Sequence, residues 1–206
     1  MITVATLFWT PNAHSHHFST MYNETWVERL YRGFQRNLTR PFRFVCFTER
    51  DRTFHEPIAQ ERIEGEPTYA TCIQPYRLDE PMILVGLDTI ITGNIDHLAD
   101  YCLTADVLAV PRDPIFTDTV CNGVALVPGG MKARMFDRWQ GENDMDWIRA
   151  NPHAVIDDLW PGQVNSYRCH VKAHGLGDSR IVYFHGKEKM DDPYFETVGW
   201  VRRHWQ

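Results

Sequence analysis

One aspartate, Asp88, lies inside the most apolar run of the sequence, residues 81–91. A carboxylate in a buried strand is costly unless a cation, a metal ion or hydrogen-bond donors accompany it. Open α/β sheets bind ligands beyond the carboxyl ends of their parallel strands, and Asp88 falls where such an end is expected. Two interpretations follow: either Asp88 binds a metal ion or a ligand there, or it accepts hydrogen bonds from the turn of residues 89–94.

A second group of polar side chains follows a predicted strand late in the sequence: His185, Gly186, Lys187 and Lys189. Imidazole is a good ligand for Mn²⁺-like ions, and lysine is a point charge for phosphate. Glycine lets the backbone approach a phosphate closely. The segment therefore suits a metal–phosphate group, although a solvated charged loop has the same composition.

The elements that must position these residues begin with a strand, a helix and a second strand. Residues 2–8 are apolar and rich in β-branched side chains, which predicts a buried strand. Apolar side chains then recur every four residues from Tyr22 to Leu38, which predicts a helix that Pro41 ends. Residues 42–47 predict the next strand. This βαβ order requires a parallel sheet.

The rest of the chain continues the alternation of strands and helices. Residues 69–78 stay ambiguous, because Pro75 disfavours a long helix there. The expected fold is α/β and Rossmann-like, with a mostly parallel central sheet flanked by helices in a single domain of residues 1–206. Further strands are predicted at 60–64, 81–91, 107–110, 120–127, 166–172 and 180–184, and further helices at 96–102, 131–139 and 145–150.

Composition excludes several classes of protein. The 206 residues are 43% hydrophobic and 23% charged, as in globular proteins, which excludes disordered and collagen-like chains. The net charge of −6 argues against a protein that follows a nucleic-acid backbone mainly by charge. The N-terminal segment lacks the features of a signal peptide, and no apolar run is long enough for a transmembrane helix. We therefore expect a cytoplasmic protein.

The cysteines and the N-terminal histidines give no strong signal of a structural site. Five cysteines are scattered without a CxxC pair, which favours reduced thiols over disulfides. His14, His16 and His17 share one polar loop, and that setting favours a solvated loop over a second metal site.

Several segments, taken in order, resemble a known family. After the βαβ start, with Arg29-Leu30-Tyr31 and residues 39–48, come LDTIITGNID, then Asn122-Gly123-Val124, then residues 160–168, then FHGKEK. Over nearly the whole chain, this order resembles the GT-A glycosyltransferases of the glycogenin and lipopolysaccharide-galactosyltransferase type, in particular a short bacterial and phage branch.

The resemblance implies a divalent cation, Mn²⁺ or Mg²⁺, held by Asp88 and His185. Asp88 falls on the second aspartate of the family's Asp-x-Asp motif, whereas Gly86 replaces the first, which is a departure from the pattern. Lys189 matches a lysine that binds the donor's phosphates, and the backbone at Gly186 would approach the same group.

Other positions imply contacts with the rest of the donor. Tyr22 matches an aromatic residue that stacks on the nucleobase. A basic residue that often precedes the metal strand is replaced by Cys72, which leaves Arg77 as the nearby substitute. Asp144 matches the aspartate of an Asp-Gln pair near the reacting sugar. Asn122 and Asp144 would orient sugar hydroxyls and are the candidate catalytic residues.

The implied activity is that of a hexosyltransferase with a nucleotide-diphosphate-sugar donor, by resemblance a UDP-sugar, and retention of anomeric configuration. The acceptor stays open among a glycan, a lipid, a protein, a small molecule and modified DNA. Gly86 and Cys72 leave a non-catalytic nucleotide-sugar-binding protein as an alternative. A metal-dependent phosphohydrolase is a second alternative, but it needs more carboxylates near Asp88 than the sequence places there.

Overall fold

The computed structural model describes residues 1–206, except for the side chains of His17 and Phe18. The expectation for the histidine-rich loop therefore lies partly outside the described residues. The strands are β1 (Ile2–Phe8), β2 (Phe42–Thr48), β3 (Ile58–Arg62), β4 (Met82–Val85), β5 (Thr89–Ile91), β6 (Leu108–Val110), β7 (Val124–Val127), β8 (His153–Val155), β9 (Val164–Ser166) and β10 (Ile181–Tyr183).

Short helices connect these strands, together with one longer helix, α2. The segments Tyr69–Leu78 and Pro193–Thr197 are 3₁₀ helices, and Tyr167–Val171 is a π-helix. The α-helices are α1 (His16–Ser19), α2 (Glu24–Asn37), α3 (Asp96–Thr104), α4 (Lys132–Met135), α5 (Asp144–Ala150), α6 (Ile156–Leu159), α7 (Lys172–His174) and α8 (Gly199–His204).

A seven-stranded sheet forms the centre of the fold, in the order β3-β2-β1-β4-β7-β6-β8. Strands β3, β2, β1 and β4 run parallel to one another, and β6 runs parallel to β8. Only β7, among the strands of this sheet that the structure describes, is antiparallel to both of its neighbours. The predicted α/β class with a mostly parallel central sheet is confirmed.

Both faces of this sheet are covered, which explains why β1 is apolar along its length. On one face Val4 packs in a cluster with Leu30 of α2 and Leu98 of α3. On the other face Ala5 packs with Ile73 of the 3₁₀ helix and with residues of α4 and α5. Asn23 caps α2 by accepting a hydrogen bond from the Thr25 amide at 3.0 Å.

A second, three-stranded sheet has the order β5-β10-β9, and the segment predicted to bind phosphate, residues 185–189, follows β10. This sheet corrects the prediction that residues 81–91 form one strand. Strand β4 ends at Val85, the chain turns over residues 86–88, and β5 then pairs antiparallel with β10. Apolar residues continue through both strands because each is buried, so the sequence pattern hides the turn. Asp88 lies in this turn between the two sheets.

Three further predicted elements are shorter than expected. The strand predicted at 120–127 begins only at Val124. The strand predicted at 166–172 ends at Ser166, whose hydroxyl accepts the Cys169 amide and so starts the π-helix. The helix predicted at 131–139 stops at Met135, and the Trp139 indole instead donates to the Glu142 carbonyl at 2.9 Å.

Within the described residues, no helix combines the length and apolarity that crossing a membrane requires.

Candidate active site

A cavity of about 990 Å³ opens where β1 and β4 end. The chain passes from β1 to β2 on one side and to β4 on the other, so the strand order reverses between β1 and β4. Such a switch point leaves a crevice beyond the carboxyl ends of the two strands. Phe8 and Val85, the last residues of β1 and β4, both line the cavity.

The cavity brings together most of the residues that the sequence suggested. They come from distant parts of the chain: the start of α2, the turn after β4, the segment before β7, the start of α5 and the loop after β10. Those that line the cavity are Tyr22, Asp88, Asn122, Asp144, His185, Gly186 and Lys189.

The first polar group in the cavity is centred on Asp88 and Lys189. The Lys189 ammonium donates to the Asp88 carboxylate and to the carbonyl of Phe184. Lys189 is 7% exposed, so its charge lies largely out of water. A buried ion of this kind needs a partner, and Asp88 supplies it. The Asp88 carboxylate is therefore paired with an ammonium rather than with the amides of residues 89–94.

Tyr22 completes this group. Its hydroxyl lies close to the Asp88 carboxylate, and burial, followed by the Asp88 charge, raises the pKa of Tyr22 above its usual value. The Tyr22 ring meets Trp26 edge-on, with the ring centroids 5.0 Å apart. Tyr22 therefore faces the cavity and Asp88 together, and its stacking on a nucleobase stays a prediction.

Gly86 explains how the carboxylate of Asp88 reaches this position. A Cβ atom built at position 86 would lie 2.8 Å from Asp88 Oδ1. That distance is too short for a carbon–oxygen contact, so a side chain at position 86 would force the Asp88 carboxylate to move. The observed orientation of the Asp88 carboxylate therefore depends on the absence of a side chain at position 86.

His185 lines the same cavity, but its imidazole contacts Ser166 and Cys169. Its Nε2 lies 2.7 Å from the Ser166 hydroxyl and 3.7 Å from the Cys169 sulfur. Burial, followed by the positive charges of Arg168 and Lys189, lowers the pKa of His185. The imidazole is therefore neutral near pH 7, which is the form that ligates metals.

The donor atoms present do not fit a preformed divalent-cation site. Asp88 is paired with an ammonium, and His185 Nε2 with a hydroxyl. No cluster of three or more His, Cys, Asp or Glu side chains that could hold a metal ion occurs among the described residues. Divalent cations in proteins take oxygen or nitrogen ligands from several groups at once. The predicted pair, Asp88 and His185, supplies only two such groups, and both are hydrogen-bonded to other protein groups.

A second polar group lies at the start of α5. Asn122 Nδ2 donates to Asp144 Oδ2 at 2.5 Å, and the Cys72 thiol also contacts this carboxylate. Burial raises the pKa of Asp144 although Asn122 and nearby amides donate to it. Burial, followed by the charge of Asp144, also raises the pKa of the Cys72 thiol. Asn122 and Asp144, the predicted sugar-orienting residues, are therefore hydrogen-bonded to each other.

The structure corrects the placement of Arg77. Its guanidinium donates to the Arg62 carbonyl at 2.6 Å, lies 3.5 Å from Glu61, and sits over the Phe47 ring. Arg77 is not among the residues that line the cavity. It faces β2 and β3 rather than the cavity, so it does not replace the missing basic residue. Cys72 itself lines the cavity.

Asp113 is a charged residue of the cavity that the sequence did not suggest. Asp113 accepts hydrogen bonds from the amides of Ile115 and Phe116, each at 2.9 Å, and pairs with Arg149 at 2.9 Å. It thereby holds a loop whose two apolar side chains are 54% and 63% exposed at the cavity. Its position soon after the predicted strand 107–110 was the signal that could have identified it.

No protein-family model and no curated protein sequence matches this chain. Solved structures do. The chain matches the crystal structure of the glycosyltransferase GlyE of Streptococcus pneumoniae TIGR4 with a TM-score of 0.57 and 14% identity, over 92% of this chain and 56% of that one. It also matches the apo structure of the bifunctional glycosyltransferase WbbM with a TM-score of 0.62 and 8% identity, over 98% of this chain and 50% of that one.

The chain thus spans about half the length of the structures it matches. At these identities the likeness establishes the architecture. The chain has the fold of a glycosyltransferase.

Proposed function

We propose that this chain is a glycosyltransferase that moves a sugar from a nucleotide-diphosphate sugar to an acceptor. The observation that carries the proposal is the cavity at the switch point, in which an ammonium–carboxylate pair and an amide–carboxylate pair face one volume. That volume, about 990 Å³, suits a small-molecule ligand of this size. The fold of the matching structures supports the same activity.

The diphosphate would lie against Lys189 and the loop that follows β10. When the bond from the sugar to the diphosphate breaks, negative charge builds on the leaving oxygens. A positive charge already held in a partly buried site stabilises that charge as it develops. Lys189 is held by Asp88 and Phe184, so it needs little reorganisation. Gly186, with φ of 85°, adopts a left-handed backbone conformation that favours glycine and brings the chain close to this point.

The sugar would lie against Asn122 and Asp144. Their mutual hydrogen bond fixes both side chains and leaves the amide oxygen and the second carboxylate oxygen for sugar hydroxyls. Such paired acceptors orient a ring rather than attack it, in keeping with the proposed retention without a dedicated protein nucleophile. A UDP-sugar donor and hexosyl transfer are part of this proposal.

A non-catalytic nucleotide-sugar-binding protein is the second candidate, and Gly86 favours it. With one motif carboxylate absent and the other paired with Lys189, the site lacks the metal ligands that the resemblance implies. Participation of Mn²⁺ or Mg²⁺ stays a prediction. The phosphohydrolase alternative has less support, because the described residues place no carboxylate cluster around Asp88.

The test is the release of nucleoside diphosphate from a panel of nucleotide sugars, with Asp144→Asn as the key variant. We expect release by the wild type and a reduction of about 10- to 100-fold in the variant. Asp146→Asn is the matched control, because Asp146 lies in the same first turn of α5 but is exposed. Donor binding without release for every donor would support the binding protein. If no donor binds, the proposed function is wrong.

A further inference from the structure

The pairing of Asp88 with Lys189 bears on whether the proposed donor needs a metal ion. We infer that the site holds the donor's diphosphate without a divalent cation, with the Lys189 ammonium supplying the positive charge. The inference rests on the proposed function, because it concerns the diphosphate of the same donor. Three features of the described residues support it.

The first feature is the geometry of Lys189. Its ammonium has three N–H donors, and the described hydrogen bonds use two of them, to Asp88 and to the Phe184 carbonyl. Lys189 also lines the cavity, so the third donor is available to a ligand there. The two protein acceptors hold a nearly buried charge at the cavity wall, and a phosphate oxygen is the natural third acceptor.

The second feature is that Asp88 already has a cation as its partner. Its Oδ2 atom accepts from the Lys189 ammonium, so its negative charge is balanced within the protein. A metal ion at Asp88 would either place a second positive charge beside this ammonium or displace Lys189 and leave a nearly buried ammonium without its carboxylate. Asp88 therefore acts as a positioning residue for Lys189.

The third feature is Gly86. The Asp88 carboxylate turns back over this glycine, with Oδ1 only 2.8 Å from where a Cβ atom would be. An aspartate at position 86 would therefore have to push this carboxylate aside, away from the orientation in which Oδ2 meets Lys189. The departure from the Asp-x-Asp motif and the ammonium–carboxylate pair are two parts of one arrangement, in which a lysine charge replaces a metal charge.

The first experiment measures binding of UDP, ADP, GDP and CDP, with inorganic pyrophosphate as a further probe, by titration calorimetry. Protein freed of metals is titrated in EDTA and, separately, in Mn²⁺. We expect at least one nucleotide to bind in EDTA, with a Kd within about threefold of its Kd in Mn²⁺. Binding that needs Mn²⁺ would overturn the inference and leave the proposed function intact. Failure of every nucleotide under both conditions would overturn both.

Variants of Lys189 test the source of the charge. Lys189→Met should weaken nucleotide binding in EDTA by about tenfold or more, whereas Lys189→Arg should keep most of it. Lys132→Met is the matched control, since it removes one lysine charge from an exposed ion pair with Asp137 outside the cavity. Equal binding by wild type and Lys189→Met, with both proteins folded, would contradict the inference.

Variants of Gly86 provide a test that does not depend on removing the lysine. Gly86→Asp should displace the Asp88 carboxylate and restore two motif carboxylates, so binding should weaken in EDTA and recover in Mn²⁺ by about tenfold. Gly86→Ala separates the steric effect, because it moves Asp88 without adding a metal ligand, and Mn²⁺ should not rescue it. Mn²⁺-independent binding by Gly86→Asp at the wild-type level would show that the ion pair is not required.

Discussion

Asp88 and Asp144 line one cavity, and the protein compensates the charges of these two carboxylates in different ways. Asp88 is partly buried and faces an ammonium and a hydroxyl, so its charge is balanced. Asp144 is 8% exposed and faces an amide and a thiol, so its charge is hydrogen-bonded but not balanced. Burial accordingly raises the pKa of Asp144.

This difference indicates a division of labour within the proposed site. An ammonium that is already paired with a carboxylate can donate its third N–H to a phosphate without giving up that partner. A carboxylate without a cation beside it keeps free acceptor sites, so a sugar hydroxyl can donate to it without competition from a positive charge. The first group suits the diphosphate end of the donor, and the second suits the sugar end.

The largest expected effect comes from breaking the ion pair. Lys189→Met leaves Asp88 without its cation, so we expect unfolding free energy to fall by about 3 kcal/mol and turnover to fall roughly 100-fold. Urea denaturation and diphosphate release measure the two effects. Asp88→Asn in the same chain should restore part of the stability but none of the turnover. If the double variant is less stable than Lys189→Met, the pair is not the source of the loss.

Removing the charge of Asp144 should not destabilise the protein as the loss of the Lys189 charge does. Asp144→Asn removes an unbalanced charge but keeps an acceptor for Asn122, so stability should stay the same or rise by about 1 kcal/mol. Asp88→Asn alone should lower stability by about 2 kcal/mol, because it leaves the Lys189 ammonium unpaired. Equal stability losses in the two variants would show that both carboxylates are compensated alike.

The pH dependence of stability sharpens the same contrast. The pKa of Asp144 is raised in the folded protein, so the folded state binds the proton more tightly than the unfolded state does. The stability that Asp144 contributes is then complete below its unfolded pKa, near 4, and is lost as the pH rises through its folded pKa. The advantage of Asp144→Asn over wild type, followed by thermal unfolding, should grow between about pH 4 and pH 7. A constant difference would contradict the raised pKa.

Local patterns in the sequence predicted the elements that depend on local structure. The apolar run of β1 and the four-residue spacing of α2 gave both elements to within two residues. A strand covered on both faces is apolar throughout, whereas a helix buried on one face repeats its apolar residues about once a turn. The same reasoning missed the turn at Gly86, since both flanking strands are buried and their sheet membership depends on distant partners.

The candidate site shows the same limit. Asp88 was identified from its burial cost, but its partner Lys189 is 101 residues away, and no spacing rule connects them. Arg77 was misplaced because it follows Cys72 closely in sequence, whereas the 3₁₀ helix directs the two side chains to different neighbours. Direction around a helix, rather than proximity in sequence, decides which residues enter a cavity.

The smallest expected effect concerns the thiol beside Asp144. Cys72→Ala removes one donor to the carboxylate, so the pKa of Asp144 should rise further and turnover near neutral pH should fall by about two- to threefold. Cys72→Ser keeps a donor at the same position and is the matched control. The pH profile of diphosphate release measures the change as a shift of its acid limb to higher pH in the alanine variant only. If both variants shift alike, the effect comes from lost packing around the sulfur, and Asp144 is compensated by Asn122 alone.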